Sequence, residues 1–503
     1  MSVPASPLTR VERLGLLAGL LLMAALMWPL RGMLSDDTFF QLQYARHLAA
    51  GQGLVFNLGE RVYGCATPLW VGLIADGMAL GGDGLTVARV LAAIASLASV
   101  GIFLQLMRRT LELPALRALA TVAWSANAWM LRWSTAGLET PLAVALVLAG
   151  FAAITEGKTW GARPIRTGAL WGLACLVRPE AVFLLVLWLM LLIVDAQNRA
   201  GVRRLAFGLM PPALIYGSWL GFSRLYFGTF WPQVLSVTVP LADRPAARLA
   251  HLARQAGIVG ASDGVALVAL GLALLFDGPR SWPRRENTQR WLPWVWVATL
   301  PALFASRGIP VVSRHLLLII PVLEWLAWRA SERWWLGPEP GPRRRAQAVM
   351  LGAALAILMI AQSLTLYATA AVPQAIAESR ALEGSLVKWG RWFGRHAPPA
   401  SSIASPEVGA IGFFSGHPVL DLTGGITPAM APLLEREGLE QAVAGLRFES
   451  VGRPMFVVER NGAPYDLARR SPYRECITPL GAAGPYSFYR IDWSIFDRLS
   501  SPR

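Results

Sequence analysis

The stretch Leu14-Gly15-Leu16-Leu17-Ala18-Gly19-Leu20-Leu21-Leu22-Met23-Ala24-Ala25-Leu26-Met27-Trp28-Pro29-Leu30, closely followed by Ser35-Asp36-Asp37, decides the fold. The apolar run holds no charge and is long enough to cross a hydrocarbon core of about 30 Å. Residues 1–13 are polar and carry Arg10 and Arg13. No small-residue cleavage site comes before Trp28, so the run reads as a retained signal-anchor rather than a cleaved leader. The span therefore delivers an acidic pair, Asp36 and Asp37, to the outer face.

The same grammar repeats along the chain. Hydrophobic residues make up 54% and charged residues only 15% of the 503 residues, where a soluble domain carries about a quarter charged. Further apolar runs cover 181–194 and 349–366. The net charge of +15 is not spread as a nucleic-acid surface would spread it. It falls in short clusters between apolar runs: Arg108-Arg109, Arg163 to Arg166, Arg203-Arg204, Arg284-Arg285 and Arg343 to Arg345. That is the positive-inside pattern of cytoplasmic loops. No nucleic-acid partner is expected. Cys65, Cys175 and Cys476 have no metal-binding spacing.

With the N-terminus cytoplasmic, eleven spans thread the chain, at about 11–34, 86–107, 116–130, 138–154, 168–177, 181–195, 205–222, 256–275, 291–305, 315–330 and 346–370. Every large basic cluster then lies inside, Lys158 included, except those attached to the outer loops. Residues 1–371 form the transmembrane module, with a first outer loop at 35–85. Residues 372–503 change composition and read as an extracytoplasmic α/β domain, with strands near 418–422, 454–458 and 486–491 and a helix near 433–444. Cys65 and Cys476 both fall outside, which allows a disulfide between them. The fold class is thus a polytopic α-helical membrane protein with a C-terminal extracytoplasmic α/β domain, in a bacterial cytoplasmic membrane.

The threading gathers polar residues on the outer face: Asp36, Asp37, Glu139, Arg178, Glu180, Arg224, Tyr226, Arg307, Arg314 and His315. Ionisable groups at span ends are costly unless paired or used. Each also has a plain structural reading. Asp36 and Asp37 open an amphipathic helix at about 37–50, with Ser35 as its N-cap, Phe40, Tyr44 and Leu48 on one stripe, and Gly51 and Gly53 at its end. Glu139 begins the fourth span. Arg178-Pro179-Glu180 is a turn that an ion pair closes. Arg314 snorkels to the interface, and Tyr226 belongs to an aromatic belt.

Chemistry unites the set. A lipid-phosphate sugar donor needs cations on its phosphate as charge builds there. The acceptor hydroxyl needs a carboxylate to take its proton. The spans supply a groove for the prenyl tail, with Phe40, Tyr44, Glu180, Arg224 and Tyr226 as lining candidates. A divalent cation, if one is bound, would take Asp36 and Glu139 as ligands; no cofactor is required.

These residues also resemble a family. Ser35 to Phe40, Tyr44-Ala45-Arg46-His47-Leu48, Gly51 to Asn57, Gly59-Glu60-Arg61-Val62 and Thr67-Pro68-Leu69-Trp70 resemble the first outer loop of GT-C glycosyltransferases. The branch with the mycobacterial terminal β-(1→2) arabinofuranosyltransferases is most similar. Gly137 to Thr140, Arg178-Pro179-Glu180, Tyr226-Phe227-Gly228 with Pro232, Val408 to Gly412 and Val419 to Gly424 extend the likeness. The resemblance implies the GT-C fold and inverting transfer of a sugar, hexose or pentose, from a polyprenyl-phosphate donor to a glycan or lipid acceptor in cell-envelope biogenesis. It implies Asp36 as general base, Asp37 as second choice and Glu139 as an assisting acid. Arg178 and Arg314, with Arg46 and His315, are the candidates for the donor phosphate. The chain departs from the pattern at Gly64-Cys65-Ala66, so arabinose is not implied.

Two other classes compete. A lipid or sugar transporter or flippase explains the spans but not a first-span acidic pair, and few ionisable residues are expected deep in the spans. A non-catalytic glycan-binding assembly protein has no need of Asp36 or Glu139.

Overall fold

A computed structural model describes residues 7–156, 161–233, 245–277, 288–308, 310–444, 446–462 and 465–500. Lys158, Arg284 and Arg285 of the basic clusters lie outside these. Five helical stretches are long and apolar enough to cross a membrane: Arg10–Leu30, Gly84–Thr110, Arg199–Phe227, Ala246–Asp277 and Pro342–His396. Three shorter apolar helices are Pro68–Ala79, Thr140–Ile154 and Glu180–Val194. The chain groups into two compact units. One comprises Met1–Gly32, Ala88–Leu220 and Val239–Ala375; the other comprises Met33–Val87, Gly221–Thr238 and Ile376–Arg503.

The first unit is a helical bundle. Thr9 and Glu12 form a capping box that starts the Arg10–Met27 helix. Glu12 Oε1 then receives Arg117 at 2.9 Å and Arg108 at 3.4 Å, so the buried carboxylate is paired. This helix lies against Pro114–Ser125. A Cβ at Gly15 would stand 2.5 Å from Ala118 Cβ, and one at Gly19 would stand 3.5 Å from Ser125 Cβ and 3.3 Å from Val100 Cγ1 of the Gly84–Thr110 helix. Glycines four apart thus let two backbones approach, the small-residue seam of membrane helices.

Two expected spans are broken. The third ends at Ser125 and resumes as Ala128–Trp133, because the Asn127 side chain accepts from Met130 N and starts a new helix. The tenth splits into Ser313–Leu316 and Ile320–Leu336, where Pro321 occupies the first turn.

The expectation of few ionisable residues within the spans needs correction. Asp263 in the Pro245–Asp277 helix and Glu324 in Ile320–Leu336 are each 1% exposed. Asn127 Nδ2 donates to both Asp263 oxygens, at 3.2 and 3.3 Å, and to Glu324 Oε1 at 3.1 Å. The Ser262 hydroxyl donates to Asp263 Oδ2. Asp263 is non-helical, with φ −129° and ψ 19°, so the helix ladder breaks there. Gln362 repairs the break. Its Nε2 donates to Gly260 O at 2.7 Å and Ala261 O at 3.1 Å, and its Oε1 accepts from Val265 N at 2.9 Å. Lipid offers no substitute partner, so a broken membrane helix depends on such neighbours.

The second unit holds a five-stranded sheet of order β2-β1-β3-β5-β4, from β1 (Ile403–Ser405), β2 (Val419–Asp421), β3 (Phe456–Arg460), β4 (Ile477–Ala483) and β5 (Tyr486–Ile491). β1 pairs parallel with β2 and β3; β5 is antiparallel to β3 and β4. The parallel β1–β2 pair requires a crossover, and the helix Gly409–Ser415 supplies it. The expected strands near 418–422 and 486–491 fall on β2 and β5, and the one near 454–458 overlaps β3, which starts and ends two residues later. The expected helix spans Ala431–Ala444 and breaks at Gly438. Leu422, Met430, Phe448, Val457 and Phe496 are among the buried core. All three cysteines are free and buried, so the Cys65–Cys476 disulfide is not formed.

Replacing Gln362 with Leu is expected to leave two carbonyls and one amide unsatisfied in the bundle. At about 1–3 kcal/mol for a buried orphaned group, the variant should unfold in detergent well below the parent, read by thermal scanning.

Candidate active site

Asp36 is the first residue of the helix Asp36–Ala49. Ser35 occupies the N-cap position with extended backbone, φ −138° and ψ 142°, but its side chain makes no capping bond. The expected N-cap residue is therefore in place, without a capping bond from its hydroxyl. The Asp36 side chain reaches elsewhere in the same unit. Its Oδ2 accepts Gly409 N at 3.0 Å and its Oδ1 accepts Ala410 N at 2.7 Å. Burial pushes the carboxyl up to about 7. The charges of Asp37 and Glu407 push the same way, against the pull of the two amides. Asp37 is exposed.

Glu407 was not singled out by sequence reasoning, nor were Gly409 and Ala410 given a role. Glu407 lies 3.6 Å from Arg460 Nη1. The Tyr486 phenol, pushed up by burial and by its hydrogen bond to Glu407, also feels the charge of Asp36. The only hint in the sequence was the Val408 to Gly412 likeness, which carries no sign of a partner some 370 residues away.

Helix Asp36–Ala49 is buried on most sides. Tyr44 is fully buried and donates to Val62 O at 3.3 Å. Phe40 stacks on Phe56 with centroids 5.4 Å apart, and Phe39 meets Phe414 at 4.9 Å. Leu48, at 37% exposed, is alone of the Phe40–Tyr44–Leu48 stripe in facing outward. Arg46 donates to Phe413 O at 3.0 Å and Gln43 Oε1 at 2.5 Å, so its guanidinium is engaged in packing. In the same unit, Arg224 donates to Gly228 O at 2.6 Å. Arg61 lies 4.7 Å over the Tyr226 ring. Gly53 has φ +95°, and a Cβ there would stand 2.4 Å from the Tyr226 hydroxyl, so both shape and backbone require glycine.

The first unit brings Glu139, Arg178, Glu180, Arg314 and His315 together. Arg178 is 5% exposed. Its Nε lies 3.6 Å from Glu139 and 3.3 Å from Glu180. Its Nη1 donates to Thr140 Oγ1 at 3.1 Å and Arg314 O at 3.4 Å. The ion pair expected of Arg178-Pro179-Glu180 is present, and it extends to Glu139. Arg314 stands 5.5 Å over the Trp133 ring, while His315 Nδ1 accepts from Val312 N and its ring meets Phe304 edge-on. Among the described residues, no group of three or more His, Cys, Asp or Glu side chains is placed to hold a metal ion.

Arg178→Met removes a buried cation shared by two carboxylates. The expected cost is about 3 kcal/mol, measured as a lower unfolding midpoint. Arg178→Lys should recover only part of it, because an ammonium cannot reproduce the guanidinium fork.

Residues 374–497 match a family model described as a domain of unknown function (DUF8728). Over 201 residues, 36% of the chain, the sequence is 32% identical to a terminal β-(1→2)-arabinofuranosyltransferase of Mycobacterium tuberculosis (strain ATCC 25618 / H37Rv). That match spans about a third of the relative's length, 32%. The fold is similar to ArnT from Cupriavidus metallidurans in the apo state, with TM-score 0.59 and 14% identity over 96% of this chain and 98% of that one. ArnT bound to undecaprenyl phosphate gives TM-score 0.58 over 97% and 99%. The oligosaccharyltransferase AglB from Archaeoglobus fulgidus, in complex with an inhibitory peptide and a dolichol-phosphate, gives 0.56 at 12% identity, over 96% and 75%. The chain is a multi-pass membrane protein whose fold is similar to that of ArnT and AglB.

Proposed function

We propose that the chain is an inverting glycosyltransferase, moving a pentose or hexose from a polyprenyl-phosphate donor to a cell-envelope glycan or lipid acceptor. It works on the outer face of the bacterial cytoplasmic membrane, with about eleven spans, a cytoplasmic N-terminus and residues 372–503 extracytoplasmic. Asp36 carries the proposal. It directly follows the first apolar helix, its carboxylate is fixed by two amides, and its pKa is raised to about 7. A general base works best with a pKa near the operating pH. ArnT and AglB, alike in fold, have been captured with polyprenyl-type phosphates.

In the proposed reaction Asp36 takes the proton of the acceptor hydroxyl as that oxygen bonds to the anomeric carbon. The bond from that carbon to the phosphate oxygen breaks, and polyprenyl phosphate leaves. Arg178 and Arg314 are proposed to offset the charge gathering on the phosphate, with His315 as a hydrogen-bond donor beside them. Glu139 and Glu180 hold the Arg178 guanidinium in position. Asp37 is held as the alternative base.

One observation favours a transporter instead: the carboxylates of Asp263 and Glu324 meet at a helix break inside the bundle. Such groups often mark transport paths. Liposomes loaded with polyprenyl-phosphate sugar and no acceptor separate the two. Flipping of the lipid without acceptor would support the transporter.

Asp36→Asn should lower turnover by about 10²–10⁴-fold with labelled donor and envelope acceptor glycans. Only the ionised carboxylate takes a proton. Parent activity should therefore rise as pH climbs through about 7 and level off above. Full activity in Asp36→Asn would contradict the assignment, as would an activity that falls across this window.

A further inference from the structure

We infer that the C-terminal domain sets the general base: residues Glu407 to Ala410 fix and face the Asp36 carboxylate, with Gly409 and Ala410 as positioning residues. It rests on Asp36 being the base, and it gives a role to a segment that matches a domain of unknown function.

The two Asp36 oxygens each take one amide, Gly409 N at 3.0 Å and Ala410 N at 2.7 Å. Two separate donors fix the plane of the carboxylate, where one would let it swing. Each oxygen keeps a further lone pair, and an acceptor hydroxyl needs one of these. Gly409 is demanded by this contact and not by its backbone angle. A Cβ there would stand 2.0 Å from the Asp36 carbonyl oxygen and 2.8 Å from Oδ2, so no larger side chain fits without moving the base.

The two supporting elements are locked together. Phe39 packs on Phe413 and Phe414, with centroids 5.7 and 4.9 Å apart, and Arg46 donates to Phe413 O at 3.0 Å. Helix Asp36–Ala49 and helix Gly409–Ser415 therefore hold a common register. Glu407 supplies the opposing influence. Burial raises the Asp36 pKa most, the charges of Asp37 and Glu407 add to it and the amides lower it, while Tyr486 and Arg460 keep Glu407 in place. A capping aspartate that served stability alone would gain nothing from a carboxylate beside it.

The test uses the full-length protein in nanodiscs, with kcat, donor KM, pH profile and melting temperature read for each variant. Gly409→Ala should lower kcat roughly tenfold or more, since small misplacements of a reacting group carry large costs. Donor KM should hold, and the acid limb should move to higher pH as the amide bonds weaken. Glu407→Gln should move that limb to lower pH, because a like charge is gone. Gly412→Ala is the packing control: its Cβ would stand 2.6 Å from Phe56 Cζ, on the same helix but against a different neighbour. It should lower the melting temperature with kcat and pH profile retained. Asp36→Asn separates the two ideas. If it is inactive while Gly409→Ala has parental kcat and pH profile, this inference falls alone. It also falls if Gly412→Ala reproduces the kcat loss and pH shift of Gly409→Ala. If Asp36→Asn is fully active, the base assignment falls and takes the inference with it.

Discussion

A bilayer core offers the backbone no hydrogen-bond partner, and most of the first unit follows from that single constraint. It forces the apolar runs into helices. It makes the break at Asp263 depend on Gln362, whose amide takes over the groups the ladder abandons. It draws Glu12 onto Arg117 and Arg108, and Arg178 onto Glu139 and Glu180. Close helix approach then depends on glycine, as at Gly15 and Gly19, because lipid gives helices no hydrophobic reason to associate.

The second unit shows a different arrangement, one carboxylate held by two backbone amides. Burial lifts Asp36 most; two amides restrain it; Asp37 and Glu407 push it further. The outcome, near 7, is a balance of opposed effects, so small changes in any partner move it. The parallel pair β1–β2 requires the crossover that presents Gly409 and Ala410, which ties sheet topology to the proposed chemistry.

Much of the fold was legible in the sequence because it rests on local pattern. Hydropathy located the long apolar helices, and the glycines at 51 and 53 ended the helix that begins at Asp36. Alternation and turn residues located β2, β3 and β5. The local pattern failed where a distant side chain decides. Asn127, Asp263 and Glu324 meet from three separate helical segments, and no window holds them together. Ser35 takes the N-cap position that local pattern assigns it, though its side chain forms no capping bond. Asp36 stood out for its position, but its partners Gly409 and Ala410 are 373 and 374 residues away. The Phe40–Tyr44–Leu48 stripe is correct as a period, yet Tyr44 faces a packed interior.

The central claim is that Asp36, held by two amides, takes the acceptor proton. The most direct measurement is a high-resolution structure of the protein with an unreactive polyprenyl-phosphate sugar analogue and an acceptor glycan. The account predicts the acceptor hydroxyl at about 3 Å from an Asp36 carboxylate oxygen, with the Gly409 and Ala410 bonds intact. An acceptor seated instead against Asp37 or Glu139, or an Asp36 that leaves both amides on substrate binding, would contradict it.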